Sequence, residues 1–164
     1  MNGLVQIALG WLLVLLAGCG FKPREAVELN PILNPLRIES VDAFSTLPQE
    51  IGRALLRSGI RLVDADETPA SVLRVLADTQ ATTPLTFSGA ARVQEYLVVH
   101  RVTFEVLDQH GKPILGSTVV ERKRDYRFDE SQALGAAAED ELARKELRRE
   151  MVQALLLRLQ AIGR

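Results

Sequence analysis

Few side chains in this sequence of 164 residues can do covalent or metal chemistry: one cysteine, Cys19, and two histidines, His100 and His110. One thiol excludes an intrachain disulfide, a thiolate zinc cage and an iron–sulfur cluster. Two imidazoles exclude a three-histidine metal centre, and neither stands in a spacing such as H-E-x-x-H. No G-x-S-x-G elbow is present, and Gly89 and Gly116 stand alone rather than in a phosphate-cradling loop. The acidic run Glu139-Asp140-Glu141 is read as a match to the positive end of a helix dipole rather than as a cation site. His100 reads as a half-buried strand residue and His110 as a solvated turn residue. The sequence is therefore read as that of a non-catalytic protein with no catalytic residues, no bound metal and no cofactor. Its 20 basic and 21 acidic side chains give a net charge of −1, which argues against a nucleic-acid partner.

Cys19 has a distinctive setting. Every charged side chain lies at Lys22 or beyond, and in residues 4–18 only Gln6 is polar. A spanning helix needs about 20 apolar residues, so this run is short for a stable anchor. It fits the apolar region of a secretory signal, and Leu16-Ala17-Gly18-Cys19 resembles the bacterial lipobox. Small residues at 17 and 18 suit a peptidase cleft, and the thiol is the nucleophile that takes a diacylglycerol. The resemblance implies that cleavage leaves Cys19 as the new N-terminus and that its amine receives a further N-acyl chain. Acyl chains contribute about 0.8 kcal/mol per buried methylene, so several hold a protein firmly on a membrane. One departure is that no Lys or Arg precedes Leu4, which puts the start codon in question. The competing reading is an uncleaved signal anchor. By comparison with sorted lipoproteins, Gly20 permits transfer to the outer membrane.

The second chemical feature is a basic cluster, Arg122, Lys123, Arg124 and Arg127. Residues 112–127 carry five bases against two acids, Glu121 and Asp125. In a hairpin folding at 109–111, Arg92 comes near the 124–128 end. Arg92, Arg122, Lys123 and Arg124 thus form a candidate site for a phosphorylated or carboxylated ligand. The alternative is a solvated edge that blocks strand-to-strand aggregation.

The elements that position these residues follow from periodicity. Pro23, Pro31 and Pro35 break up regular structure, so residues 19–35 are expected as a lipidated tether after the signal peptide at 1–18, with one domain over 36–164. Leu36-Arg37-Ile38-Glu39 alternates as a strand does. Thr46 and Gln49 suit a capping box with Pro48 in the first turn, and Leu47, Ile51, Ala54 and Leu55 share a helical face that Gly59 ends. Extended segments are expected from Ile60 to Leu62 and again over 72–77, then a long loop over 79–92. Tyr96, Val98, Val102, Phe104 and Val106 fall on one face of a strand, and a second long strand is expected over 114–126. A helix capped by Asp129 or Ser131 follows from 132 to 161, with Leu147, Met151, Leu155 and Leu159 as its apolar stripe. The expected fold class is α+β, a two-layer sandwich with two helices packed on one face of a small, mostly antiparallel sheet.

Several motifs occur in a telling order. Cys19-Gly20-Phe21 is followed by Lys22 and Arg24. Strand–helix–strand comes next, and Gln94-Glu95-Tyr96 opens a Val-rich strand. Phe128-Asp129 leads to Ala133-Leu134-Gly135, and a Glu-rich helix ends in Leu155-Leu156-Leu157-Arg158-Leu159. Over nearly the whole chain this resembles LptE, the lipopolysaccharide-assembly lipoproteins of Gram-negative outer membranes. The resemblance implies a protein on the periplasmic side of the cell outer membrane, held in its inner leaflet by the lipid on Cys19. It implies a partner, the β-barrel LptD, which such proteins help to assemble and then plug, and a ligand, lipopolysaccharide. The family's basic positions do not carry over directly. Gly89 stands where a base is expected before the Glu-Tyr pair, and Gly135-Ala136 are uncharged. Arg92, Arg122, Lys123 and Arg124 are the substitutes. The alternatives are an auxiliary lipoprotein of an envelope ABC transporter and a ligand-free structural lipoprotein.

Overall fold

The computed structural model describes residues 29–42, 44–87, 93–127 and 133–163. Cys19, Arg92 and the expected helix caps Asp129 and Ser131 lie outside these residues. The folded body begins earlier than the expected tether boundary. A 3₁₀ turn at Pro31–Leu33 is capped by Asn30, whose side-chain oxygen accepts from the Ile32 amide at 3.0 Å. The Asn30 amide also donates to the Ile162 carbonyl at 3.2 Å, joining the two ends of the domain. Leu33 is fully buried, so the tether stops short of Pro35 because an apolar side chain anchors it.

Strand β1 (Leu36–Ser40) leads to helix α1 (Leu47–Arg57). Thr46 makes no side-chain cap; the Ser45 hydroxyl instead accepts from the Leu47 amide at 3.1 Å. Gly59 ends the helix with φ of 81°, a left-handed conformation in which a Cβ is unfavourable. The strand expected at Ile60–Leu62 reduces to a single bridge between Leu62 and Leu36. Three long strands follow, β2 (Ser71–Phe87), β3 (Val93–Leu107) and β4 (Pro113–Arg127), and then helix α2 (Ala133–Gln160). The sheet order is β1-β2-β3-β4, with β1 parallel to β2 and the other neighbours antiparallel. The parallel pair needs a crossover, which α1 provides. The fold is the expected α+β sandwich with two helices against one mixed sheet.

The loop expected over 79–92 is largely strand, since β2 continues to Phe87. Two physical features hide it in the sequence. Beyond Val75, β2 has no β1 partner, so Pro84 sits on a free edge where its missing N–H costs no ladder bond. In addition, the β2–β3 register shifts between Val75 and Ala77. Before the shift Val75 pairs with Phe104; after it Asp78, Gln80 and Thr82 pair with Val102, His100 and Val98. Odd-numbered residues thus face the helices before this bulge and even-numbered ones after it.

The core lies in the half of the sandwich that contains β1. Leu36, Leu73, Val75, Phe104 and Val106 of the sheet meet Leu47, Ile51 and Leu55 of α1 and Met151, Leu155 and Leu159 of α2. A Cβ on Gly52 would stand 3.2 Å from the end of the Leu62 side chain, which would have to shift by a few tenths of an ångström, so α1 packs closely there. A smaller cluster of Val98, Ala143 and Leu147 lies beneath Tyr126. Replacing fully buried Leu155 by Ala should cost about 2–5 kcal/mol. Urea unfolding checks this: the midpoint should fall at constant slope, and a loss below about 1 kcal/mol would remove Leu155 from the core.

Candidate functional site

Beyond the bulge, polar groups share the space between sheet and α2 with the Val98–Ala143–Leu147 cluster. His100, on the inward side of β3, is fully buried rather than half-buried. Its Nε2 lies 2.7 Å from Asp78 Oδ1, and the Ser45 hydroxyl donates to Asp78 Oδ2 at 2.7 Å. Burial opposes ionisation of Asp78, but the hydrogen bonds from His100 and Ser45 outweigh it and hold the carboxyl below its ordinary range. One strand pair further on, Asp140 of α2 receives Arg144 at 2.7 Å, the Tyr126 hydroxyl at 3.2 Å and the Thr82 hydroxyl at 3.3 Å. Burial would raise the Asp140 pKa, yet Arg144 and the hydroxyl donors keep it low. Tyr126, stacked on Tyr96 with centroids 5.6 Å apart, is pushed up to about 12, first by burial and then by the Asp140 charge. Within the acidic run of α2, Asp140 is therefore part of the sheet–helix contact. No group of three or more His, Cys, Asp or Glu residues among the described ones is arranged to hold a metal ion. His110 lies exposed in the β3–β4 turn.

Strand β4 distributes its bases over both faces. Arg122 and Arg124 share the helix-facing side with Val120 and Tyr126, opposite His100 and Val98 of β3. Arg124 bonds Glu146 and also donates to Glu150 at 3.2 Å, so two carboxylates one turn apart on α2 receive it. Lys123 lies on the open face, 2.9 Å from Glu121, which Arg101 also contacts. These two cations hold the Glu121 carboxyl below its usual range. Arg122 donates to the Glu121 main-chain carbonyl at 2.8 Å and meets no carboxylate among the described residues. Arg127 stands 3.7 Å from Glu95. Of the four residues expected to act together, then, Arg122 and Arg124 lie on one face and Lys123 on the other, while Arg92 is outside the described residues. Arg124 is largely neutralised within the domain, whereas the charge of Arg122 is uncompensated among the described residues. The Arg124 clamp was missed because Glu146 and Glu150, at i and i+4, read from sequence as ordinary solvent-side acids.

The open face of the sheet carries a cross-strand ladder. Glu39, Arg74 and Glu105 are register neighbours on β1, β2 and β3, and Arg74 bonds Glu39 at 2.9 Å and Glu105 at 2.8 Å. Such pairs contribute modestly to stability at a solvated surface but keep the face hydrophilic.

With this geometry in hand, comparison with known proteins is decisive. The sequence model of LptE, described as lipopolysaccharide-assembly, matches residues 33–159. The chain belongs to the LptE family. It is 28% identical to the LPS-assembly lipoprotein LptE of Pectobacterium atrosepticum, over 98% of this chain and 86% of that protein. It is likewise 28% identical to the LptE of Yersinia enterocolitica, over 95% of this chain and 75% of the relative. Among solved structures, lipoprotein B from Nitrosomonas europaea superposes with a TM-score of 0.71 at 25% identity, covering 84% of this chain and 88% of that one. The rare lipoprotein B from Shewanella oneidensis gives 0.67 at 27% identity, covering 76% and 92%. These likenesses support the LptE family and its α+β fold. No helix among the described residues is long and apolar enough to cross a membrane.

The Tyr126–Asp140 contact carries a pH signature. A folded-state pKa of about 12, above the ordinary value of 10.0, means the tyrosine's contribution is complete below pH 10 and is lost as pH rises towards 12. Over that window the protein should lose about 1–2 kcal/mol more stability than Tyr126→Phe, after allowance for solvent screening. Urea titrations at both ends of the window measure the difference; parallel losses in the two proteins would show that the hydroxyl is not perturbed.

Proposed function

We propose that this LptE-family chain is an outer-membrane lipoprotein that assists assembly of an LptD-like β-barrel, plugs it, and binds lipopolysaccharide during its insertion into the outer leaflet. The observation that carries this reading is the family match over residues 33–159, together with relatives named LPS-assembly lipoproteins that align along almost the whole chain. The physics of the fold supports it. A barrel lumen of this kind is polar, and the open sheet face, lined by the Glu39–Arg74–Glu105 ladder and the Arg101–Glu121–Lys123 group, is suited to such surroundings. No step requires catalysis: the protein acts by occupying space and by offering cations to a phosphorylated ligand. Arg92 and Arg122 are the principal lipopolysaccharide contacts; Lys123, on the open face 2.9 Å from Glu121, contributes less. Arg124, held by Glu146 and Glu150, orients this end of β4 against α2 and contributes less free charge.

In this reading the acyl chains on Cys19 hold the protein at the inner leaflet. Cys19→Ala should abolish incorporation of labelled palmitate and release the protein from the membrane fraction; retention in the membrane would favour an uncleaved anchor. Mild detergent extraction of the wild type should recover a large barrel protein with it, identified by mass spectrometry. Recovery of the chain alone would count against the plug. Charge reversal at Arg92, Arg122 and Lys123 should lower lipopolysaccharide capture by about tenfold or more, given the strength of charge-assisted contacts to phosphate. Undiminished capture would reduce the basic strand to a solubility device.

A further inference from the structure

A second basic surface lies away from the β4 cluster, between the two helices. A groove of about 940 Å³ separates α1 from α2. Arg53 and Arg57, one turn apart, line it from α1; Lys145 and Arg149, also one turn apart, line it from α2. None of these four meets a carboxylate among the described residues, in contrast to Lys123, Arg124 and Arg74, which all do. The one acid on the groove wall, Glu50, is already near Arg148 at 3.8 Å. Four like charges in one concavity repel each other, and an anion placed there relieves that repulsion.

The groove is also apolar over part of its length. Val152, Leu156 and Leu157 line it, and Leu157 is 60% exposed. Leu156 lies about 10 Å further along the helix axis than Arg149, at 1.5 Å per residue. The C-terminal ends of both helices meet the start of β1, so Arg57 lies at the same end of the groove as Leu156 and Leu157, and cations and hydrocarbon line one channel together. A fully charged peptide would leave Val152, Leu156 and Leu157 facing its charges, whereas an anionic amphiphile matches both kinds of lining. The volume lies at the upper end of single-ligand sites, about 300–1,000 Å³, enough for a headgroup and the first part of its chains.

We infer that the α1–α2 groove binds one anionic phospholipid, with its phosphate between Arg53 and Arg149 and its acyl chains on Val152, Leu156 and Leu157. This site is separate from the β4 bases and does not rest on lipopolysaccharide being the ligand there.

The full chain in neutral detergent, offered equal amounts of phosphatidylglycerol and phosphatidylcholine with matched chains, tests this by native mass spectrometry. One phosphatidylglycerol should be retained in about tenfold preference over phosphatidylcholine, as expected for charge-assisted binding. The double variant R53Q/R149Q should lose most of that preference, whereas Arg158→Gln, which removes a charge of α2 outside the groove, should keep it. Leu157→Asp should weaken retention of both lipids. Unchanged thermal unfolding of each variant shows that the fold is intact. Equal retention of the two lipids, an unaltered preference in R53Q/R149Q, or full displacement by inorganic phosphate would overturn the assignment. So would retention of neither lipid. Lipopolysaccharide capture by the β4 variants is a separate readout, so either site can fail without the other.

Discussion

Helix α2 lies across the sheet on two unlike surfaces, and the junction between them organises the molecule. Along the half that contains β1 it presents Met151, Leu155 and Leu159 to Val75, Phe104 and Val106. Each fully buried side chain of this kind contributes about 1.5–3 kcal/mol. Along the other half it presents Asp140 and Arg144 to the hydroxyls of Thr82 and Tyr126. The change of surface originates in β2, where the bulge between Val75 and Ala77 turns Asp78, Gln80 and Thr82 inward. A strand of unbroken parity would have sent these polar residues to the open face.

The polar layer contributes in a different currency from the core. Burying charged groups costs desolvation that their mutual attraction only partly offsets, so its net stabilisation is small. Its geometric effect is larger. Sliding α2 by one turn would part Tyr126 from Asp140, and Arg124 from Glu146 and Glu150, so these contacts define where the helix sits along the strands. Three buried polar atoms of this region make no hydrogen bond among the described residues: Gln80 Nε2, His100 Nδ1 and Arg148 Nε, the last of which keeps only its longer contact with Glu50. All three belong to residues in or beside the Asp78–His100 contact, where buried water is the usual partner for such atoms.

Net charge near zero conceals an uneven distribution. On the sheet most cations are matched to acids across strands or from α2, so that surface is polar without being strongly positive. On the helices Arg53, Arg57, Lys145 and Arg149 lack such partners among the described residues and share one groove. Charge counts along the chain drew attention to residues 122–127, where bases are consecutive. The helix cations are scattered over nearly a hundred positions of sequence and converge only when α1 and α2 pack side by side.

Periodicity within a single element was legible from sequence. The stripe Leu147, Met151, Leu155 and Leu159, the α1 face Leu47, Ile51, Ala54 and Leu55, and the inward β3 residues Val98, Val102, Phe104 and Val106 are all buried, with Tyr96 of the same set half-buried, because burial of one face leaves a repeat that neighbouring residues report directly. The family resemblance carried by the ordered motifs was legible too. Relations between elements were not. The strand character of residues 79–87 depends on pairing with β3 and on a one-residue bulge that reverses parity, and polar residues with a proline look like a loop until that partner is present. The complete burial of His100 depends on α2 lying over it. Strand parity already sets Arg122 and Arg124 apart from Lys123, but the neutralisation of Arg124 depends on which face of β4 meets Glu146 and Glu150. Local spacing thus determined the helices, most strands and the class of fold. Only tertiary packing decided which charges are spent inside the domain and which remain free, because charge compensation is set by distance in space between segments far apart in sequence.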